Sequence, residues 1–152
     1  SETSIDFDLN KVIEKNKDNP VFYCQYAYAR ASSVINKAND LGININSFNK
    51  NIKIKEYLTN DEIEIILKLL SYPYILHQSS LKREPHRLTN FIEDVSISFH
   101  SFWNKGKENE SLRFIDEKNI LKSQTKLLWL HSMRIVFENI FNIIGIDYHE
   151  TM

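Results

Sequence analysis

Two tyrosines, an arginine and a lysine are spaced along residues 19–38 so that one helix face would carry all four. At about 100° per residue, Tyr23, Tyr26, Arg30 and Lys37 fall in one sector. Tyrosine rings stack on unpaired bases, and arginine and lysine bind phosphate, so this face is suited to single-stranded RNA. The alternative is that the tyrosines cover a helix–helix groove with their hydroxyls in water. The spacing alone leaves both interpretations open.

The helix that would position these side chains has clear signals at both ends. Asn19 is suited to the N-cap and Pro20 to the first helical position, and Gly42 is suited to the C-terminal end. A second sector is apolar and predicts a face turned towards the core. It comprises Cys24, Ala27, Tyr28, Ala31, Val34, Ile35 and Ala38.

The rest of the chain predicts an all-α fold, because long periodic segments are separated by few glycines and prolines. Thr59 and Glu62 form a capping-box pattern at the start of one helix. The last helix, Ile120 to Ile144, is apolar around most of its circumference and should be the buried central helix. The other predicted helices cover about residues 74–82 and 84–104.

Two connections are expected to be loops, residues 42–58 and residues 105–119. The first has apolar residues that would pack onto the bundle, at Ile43, Ile45, Phe48, Ile52 and Ile54. The alternation of Ile52 and Ile54 also allows a short strand there.

Composition limits the class of protein. The chain has 152 residues, enough for one domain. Its formal net charge is −1, and this low charge predicts weak and salt-sensitive RNA binding. Its single cysteine, Cys24, excludes an internal disulfide and a Cys-rich zinc site, and we expect it to be a buried, inert thiol. No apolar run of membrane-spanning length and no signal peptide are evident, so we expect a cytoplasmic protein.

The sequence predicts no catalytic residue and no cofactor or metal site. It has no glycine-rich phosphate loop, no HExxH and no GxSxG motif. Its five histidines are too scattered to form a ligand set by spacing.

The segment Asn19–Arg30, NPVFYCQYAYAR, resembles the NPVxYVQYAHAR segment that opens the C-terminal anticodon-binding domain of arginyl-tRNA synthetases. Glu84-Pro85-His86-Arg87-Leu88 and Phe99-His100-Ser101-Phe102-Trp103 are similar to the EPHRL and FHxFY segments of that family, and the chain ends on a family-like Met152. The departures are Tyr28 for a common His, Tyr148-His149 for Ala-Pro, and an Asp-Ala-Leu-Arg signature of which only Arg134 remains. We expect the Tyr28 change to concern packing.

The resemblance implies an anticodon-binding helical bundle of a class I aminoacyl-tRNA synthetase over residues 19–152. Residues 1–18 would be a linker from a catalytic domain that lies outside this chain, since HIGH-like and KMSKS-like motifs are absent. The implied partners are tRNA-Arg and that catalytic domain, where ATP, Mg²⁺ and arginine would bind, and the protein would be a monomer. The expected tRNA-binding residues are Tyr23, Tyr26, Arg30, Lys37, His100 and Met152.

Other interpretations remain at this point. His100 is alternatively an exposed helix histidine, and Met152 part of a frayed tail. The whole chain is alternatively a helical protein-interaction module, because tyrosine and arginine are also enriched in protein interfaces, or a free-standing RNA-binding paralogue.

Overall fold

The computed structural model describes residues 19–46 and 54–152. That part of the chain forms α-helices and two short 3₁₀ turns and contains no strand, which confirms the all-α prediction. The helices are α1 (Pro20–Asp40), α2 (Asn60–Leu70), α3 (Tyr72–Lys82), α4 (His86–Glu108) and α5 (Ile120–Ile144), and the turns are Ile54–Tyr57 and Glu110–Leu112. None of the helices within these ranges is long and apolar enough to cross a bilayer. The linker predicted for residues 1–18 lies outside the described residues.

The predicted helix ends are confirmed where the sequence carries capping residues. The Asn19 side chain accepts hydrogen bonds from the backbone N–H groups of Val21 and Phe22, at 3.1 and 3.3 Å, so it satisfies donors that have no partner inside the helix. The capping box predicted for α2 is also present. Gly145 ends α5 with a φ of +73°, a left-handed conformation that costs glycine little.

The segment after α1 follows the predicted loop in part. Ile43 is buried and Ile45 packs against the core, as expected. Ile54 is exposed, so the prediction that it packs onto the bundle is wrong, and it lies in a 3₁₀ turn and not in a strand. Phe48 and Ile52 lie outside the described residues.

Helix α4 was predicted to end at about Asn104. It continues four residues further, to Glu108. The following 3₁₀ turn is anchored by the aromatic ring of Phe114, whose centre lies 5.5 Å from that of Phe102 and 5.4 Å from that of Trp129. Lys126 adds a hydrogen bond from its Nζ to the carbonyl of Leu112, at 2.9 Å. The segment after α4, which was predicted as a loop, is therefore held against the core by these contacts.

Helix α1 packs on both α4 and α5, while α2 and α3 pack along α4. The core is built from the apolar sector of α1 together with large side chains of α4 and α5. Helix α5 is less enclosed than its composition predicted, since Ile135 and Ile143 are more than half exposed. The groove between α1 and α4 is the part of this architecture that bears on function.

Candidate nucleic-acid interface

Arg30 is the centre of a polar and aromatic cluster in the groove between α1 and α4. Its Nη2 donates a hydrogen bond to the Tyr26 hydroxyl at 2.7 Å, and its Nη1 donates to Nδ1 of His100 at 3.1 Å. The guanidinium carbon lies 4.0 Å from the ring centre of Tyr26 and 5.0 Å from that of Trp103. A guanidinium has five N–H donors, so two directed bonds and two ring contacts fix its plane and leave further donors for a ligand.

His100 holds this cluster from the α4 side. Its Nδ1 accepts from Arg30, and its Nε2 donates to the backbone carbonyl of Tyr23 at 3.2 Å, which assigns the neutral Nε2–H tautomer. Its ring centre is 4.3 Å from that of Tyr23 and 5.6 Å from that of Tyr26. The pKa of His100 is lowered to about 4, mainly by burial and also by the nearby Arg30 charge, while the hydrogen bond to Tyr23 acts to raise it.

The side chain of His100 is only 3% exposed, so the alternative of an exposed helix histidine is wrong. By helical geometry His100 lies off the apolar face of α4. The residue is nevertheless buried because the tyrosine face of α1 covers it. Only the docking of the two helices determines this, since each helix alone leaves the ring in solvent.

A cavity of about 450 Å³ lies beside the cluster, between α1, the end of α4 and the 110–115 segment. Its floor is apolar and aromatic, with Trp103 and Phe114 among the lining residues. Three cations, Lys37, Lys107 and Arg113, line it as well, and none of its lining residues in the described part of the chain is acidic. Arg113 also forms an exposed ion pair with Glu110 at 2.8 Å. An aromatic cavity with cations around it has the chemistry needed to hold a nucleobase and its phosphates.

The C-terminal tail is fixed on another side of α1. Arg134 donates to Glu150 at 3.0 Å, and the Gln25 side chain donates to the carbonyl of Asp147 at 2.6 Å. By helical geometry Gln25 lies roughly 120° around α1 from the sector of Tyr23 and Arg30. Among the described residues no recorded contact joins Met152, which is 55% exposed, to the Arg30 cluster.

Two of the departures from the family pattern, Tyr28 and Tyr148, face each other. Tyr28 lies edge-on to Tyr148, with ring centres 4.9 Å apart, and its hydroxyl donates to Glu138 at 2.8 Å. Burial, then the bond to the Glu138 carboxylate, raises the pKa of Tyr28 to about 12. Tyr28 is buried, so the expectation that its change concerns packing is confirmed. Cys24 is also buried, and burial raises the pKa of its thiol to about 11, which fits an inert cysteine.

The structure thus brings together Tyr23, Tyr26, Arg30 and His100, places Lys37 at the adjoining cavity, and leaves Met152 elsewhere. Trp103, Lys107 and Arg113 also lie at this site, although they were not among the residues expected to bind tRNA. Trp103 and Lys107 follow His100 by three and seven residues, so the helical period could have placed them on its face. Nothing in the sequence places Arg113 there, because the fold of the 110–115 segment decides its position.

Comparison with known proteins gives a family from the sequence and a solved structure that shares the fold. The profile of the DALR anticodon binding domain matches residues 24–152. An arginine–tRNA ligase of Pelagibacter ubique is 42% identical over the whole chain, and one of Bartonella bacilliformis is 46% identical over 83% of it. The chain spans about a quarter of these relatives' length, 26% and 22% respectively. A solved structure of an arginyl-tRNA synthetase from Campylobacter jejuni aligns with a TM-score of 0.70 over 99% of this chain and 30% of its own, at 22% identity.

The fold is therefore that of an all-α helical bundle found within an aminoacyl-tRNA synthetase. The chain belongs to the DALR anticodon-binding domain family, and its curated relatives are arginine–tRNA ligases.

Proposed function

We propose that this chain binds the anticodon loop of tRNA-Arg, as the anticodon-binding part of an arginine–tRNA ligase. The observation that carries this proposal is the arrangement of Arg30, which is held by Tyr26 and His100 and lies beside Trp103 at the edge of a cation-lined cavity. Because the protein's own side chains hold the guanidinium in place, binding does not have to order the arginine first.

Each residue has a distinct role in this proposal. Tyr23 and Tyr26 offer ring faces for stacking on splayed bases, and Arg30 uses its remaining donors on phosphate or on a base edge. A base enters the cavity against Trp103, and Lys37 at the cavity attracts the phosphates. His100 is too buried to touch RNA and acts as a positioning residue for Arg30. For Met152 a direct contact with the tRNA stays a prediction.

The activity of the whole protein is also part of the proposal. Arginine–tRNA ligases join arginine to tRNA with ATP and Mg²⁺, and the three quarters of the relatives' length beyond this chain would carry that chemistry. This domain would supply recognition and no catalytic group. A tRNA bound here would have its acceptor end directed to that catalytic part, in a cytoplasmic enzyme.

The test is a titration of the chain with a tRNA-Arg transcript, in low and in moderate salt. We expect Tyr26→Ala to weaken binding by about 1–3 kcal/mol, the usual value of one stacked base. Arg30→Gln should weaken binding and lower the slope of log K against log salt by about one, as loss of one phosphate contact does.

A matched control removes the same charge at Arg83, in the turn before α4. Arg83 lies before the first residue of α4, His86, which is itself roughly 20 Å from His100 along the helix. Arg83→Gln should leave both the affinity and the salt slope close to the wild-type values. The proposal fails if Arg30→Gln and Tyr26→Ala bind tRNA-Arg as the wild type does, or if the control loses as much affinity as Arg30→Gln.

A further inference from the structure

Phe22 is a large aromatic side chain that the helical bundle does not use in its core. It lies in the first turn of α1, where its backbone N–H donates to the Asn19 side chain at 3.3 Å. The side chain is partly exposed, and it belongs neither to the core nor to the partly buried apolar side chains that pack against the core. Packing within the described part of the chain therefore does not account for the position of this ring.

Phe22 continues the aromatic and basic face of α1 by one further ring. Side chains four residues apart share a helix face, so Phe22, Tyr26 and Arg30 follow one another along α1. The rings of Phe22 and Tyr26 are inclined by only 13° and their centres lie 6.1 Å apart, which is an offset-stacked arrangement. The Tyr26 hydroxyl accepts a hydrogen bond from Arg30 at 2.7 Å, which holds this ring in place. The two rings form one continuous platform, and Phe22 is its N-terminal end.

The two rings of this platform differ in what the protein places against them. The guanidinium carbon of Arg30 lies 4.0 Å from the ring centre of Tyr26, and the ring centre of His100 lies 5.6 Å from it. Of the ring and cation contacts within the described part of the chain, Phe22 makes one, with Tyr26. The Phe22 ring therefore has no cation or second ring against it, as Tyr26 has, and it can receive a base in that place.

We propose that Phe22 is a further base-stacking residue, which binds an unpaired nucleobase at the N-terminal end of α1; this inference rests on the proposed RNA-binding function of the α1 face. By the rise of a helix, Phe22 lies roughly 18 Å along α1 from Val34, which lines the cavity. The base on Phe22 therefore belongs to a different nucleotide from the base in the cavity. The bound RNA is a single strand that follows α1, and its two ends meet Phe22 and the cavity.

The charge at this end of α1 favours a nucleotide as the occupant. The N-terminus of a helix carries a partial positive charge that acts within the first turn, and Phe22 lies in that turn. The first turn of α1 contains no acidic side chain that would neutralise this charge. A base on Phe22 brings its phosphate close to the helix end, and phosphate is a group that helix N-termini bind. An uncharged apolar partner would gain nothing from this charge.

Phe22→Leu tests the proposal, because leucine keeps an apolar side chain on the helix and removes the ring. In a titration with the anticodon stem-loop of tRNA-Arg, we expect this variant to bind at least about fivefold more weakly, the lower end of the usual effect of one stacked base. The slope of log K against log salt should stay at the wild-type value, because no charge is removed. Phe22→Trp offers a larger ring and should bind at least as tightly as the wild type. Val21→Ala is the control, because it alters the neighbouring exposed side chain of the same turn, and it should leave the affinity unchanged.

Three measurements separate a contact with the base from a purely structural role. Phe22 lies outside the core, so Phe22→Leu should unfold at a urea concentration close to that of the wild type. Its effect on affinity should persist in a Tyr26→Ala background, since a ring that only supports Tyr26 has no effect once Tyr26 is gone. In NMR spectra of the complex, the protons of one loop base should shift upfield, as protons above a ring face do. That shift should be absent from the complex with Phe22→Leu.

The role of Phe22 is overturned if Phe22→Leu binds the stem-loop as tightly as the wild type, or if its effect vanishes in the Tyr26→Ala background. A Val21→Ala variant that loses as much affinity as Phe22→Leu overturns it too. These outcomes leave the RNA-binding function of the α1 face intact as long as Tyr26→Ala and Arg30→Gln still weaken binding. If those two variants bind as the wild type does, the RNA-binding function itself fails, and the role of Phe22 fails with it.

Discussion

Acidification should destabilise this domain through His100. The imidazole is neutral in the folded chain because it is buried and because its Nδ1 already accepts a hydrogen bond from Arg30 at 3.1 Å. Protonation would replace that bond with two facing cations. The pKa of His100 is about 4 in the folded state against an ordinary value of 6.5.

The sign and size of the effect follow from this difference. The unfolded chain binds more protons than the folded chain between those two values, so the stability contributed above pH 6.5 is lost progressively as the pH falls towards 4. At about pH 5, nearly all unfolded chains and about a tenth of folded chains would carry the proton on this residue. The corresponding loss in the free energy of unfolding is about 2 kcal/mol.

Urea denaturation of the wild type and of His100→Gln, at about pH 7.5 and about pH 5, measures this loss. Burial also lowers the pKa of His131, so each protein alone will show a mixed pH dependence. The difference between the two proteins removes that contribution, since His131 is present in both. The stability advantage of the wild type should shrink by about 2 kcal/mol on acidification. If it stays constant between the two pH values, the assignment of a buried neutral imidazole is wrong.

Two further predictions concern the parts that support the interface. The Nζ of Lys126 lies 3.4 Å from a Glu62 carboxylate oxygen, with both side chains at most 1% exposed, so Lys126→Met should cost about 3–5 kcal/mol by leaving a buried charge unpaired. Glu62→Gln should destabilise the Lys126→Met variant by much less than it destabilises the wild type. If urea denaturation shows the same loss in the free energy of unfolding in both backgrounds, the pair is not coupled. The Tyr148 ring stacks on Phe141 at 5.5 Å and lies edge-on to Tyr28, so Tyr148→Ala should raise amide hydrogen exchange in residues 146–152 while the amides of α4 keep their protection. Unchanged exchange in the tail would show that Tyr148 does not hold it.

Elements that depend on local signals were predictable from the sequence. Asn19, Pro20 and Gly145 mark the ends of α1 and α5, and the structure has those ends where they were expected. Capping and positive φ are properties of a few adjacent residues, so no distant partner is needed to read them. The end of α4 carries no such signal, and its four additional residues were missed.

The candidate site was predictable only as a row of side chains. The helical period put Tyr23, Tyr26 and Arg30 on one face, since that grouping depends on a single helix. It gave no information on what the face contacts, so the burial of His100 was not predicted. Residue spacing cannot report burial that a second helix creates.

The sequence by itself therefore determined the all-α class, most helix ends, the aromatic and basic face of α1, and the family resemblance that the comparisons confirm. The tertiary structure decided how Arg30 is held, which residues surround the cavity beside it, and where Met152 lies. The physical reason is the range of the interactions: capping and periodicity act within one helix, whereas the Arg30–His100 bond joins residues 70 positions apart in the chain.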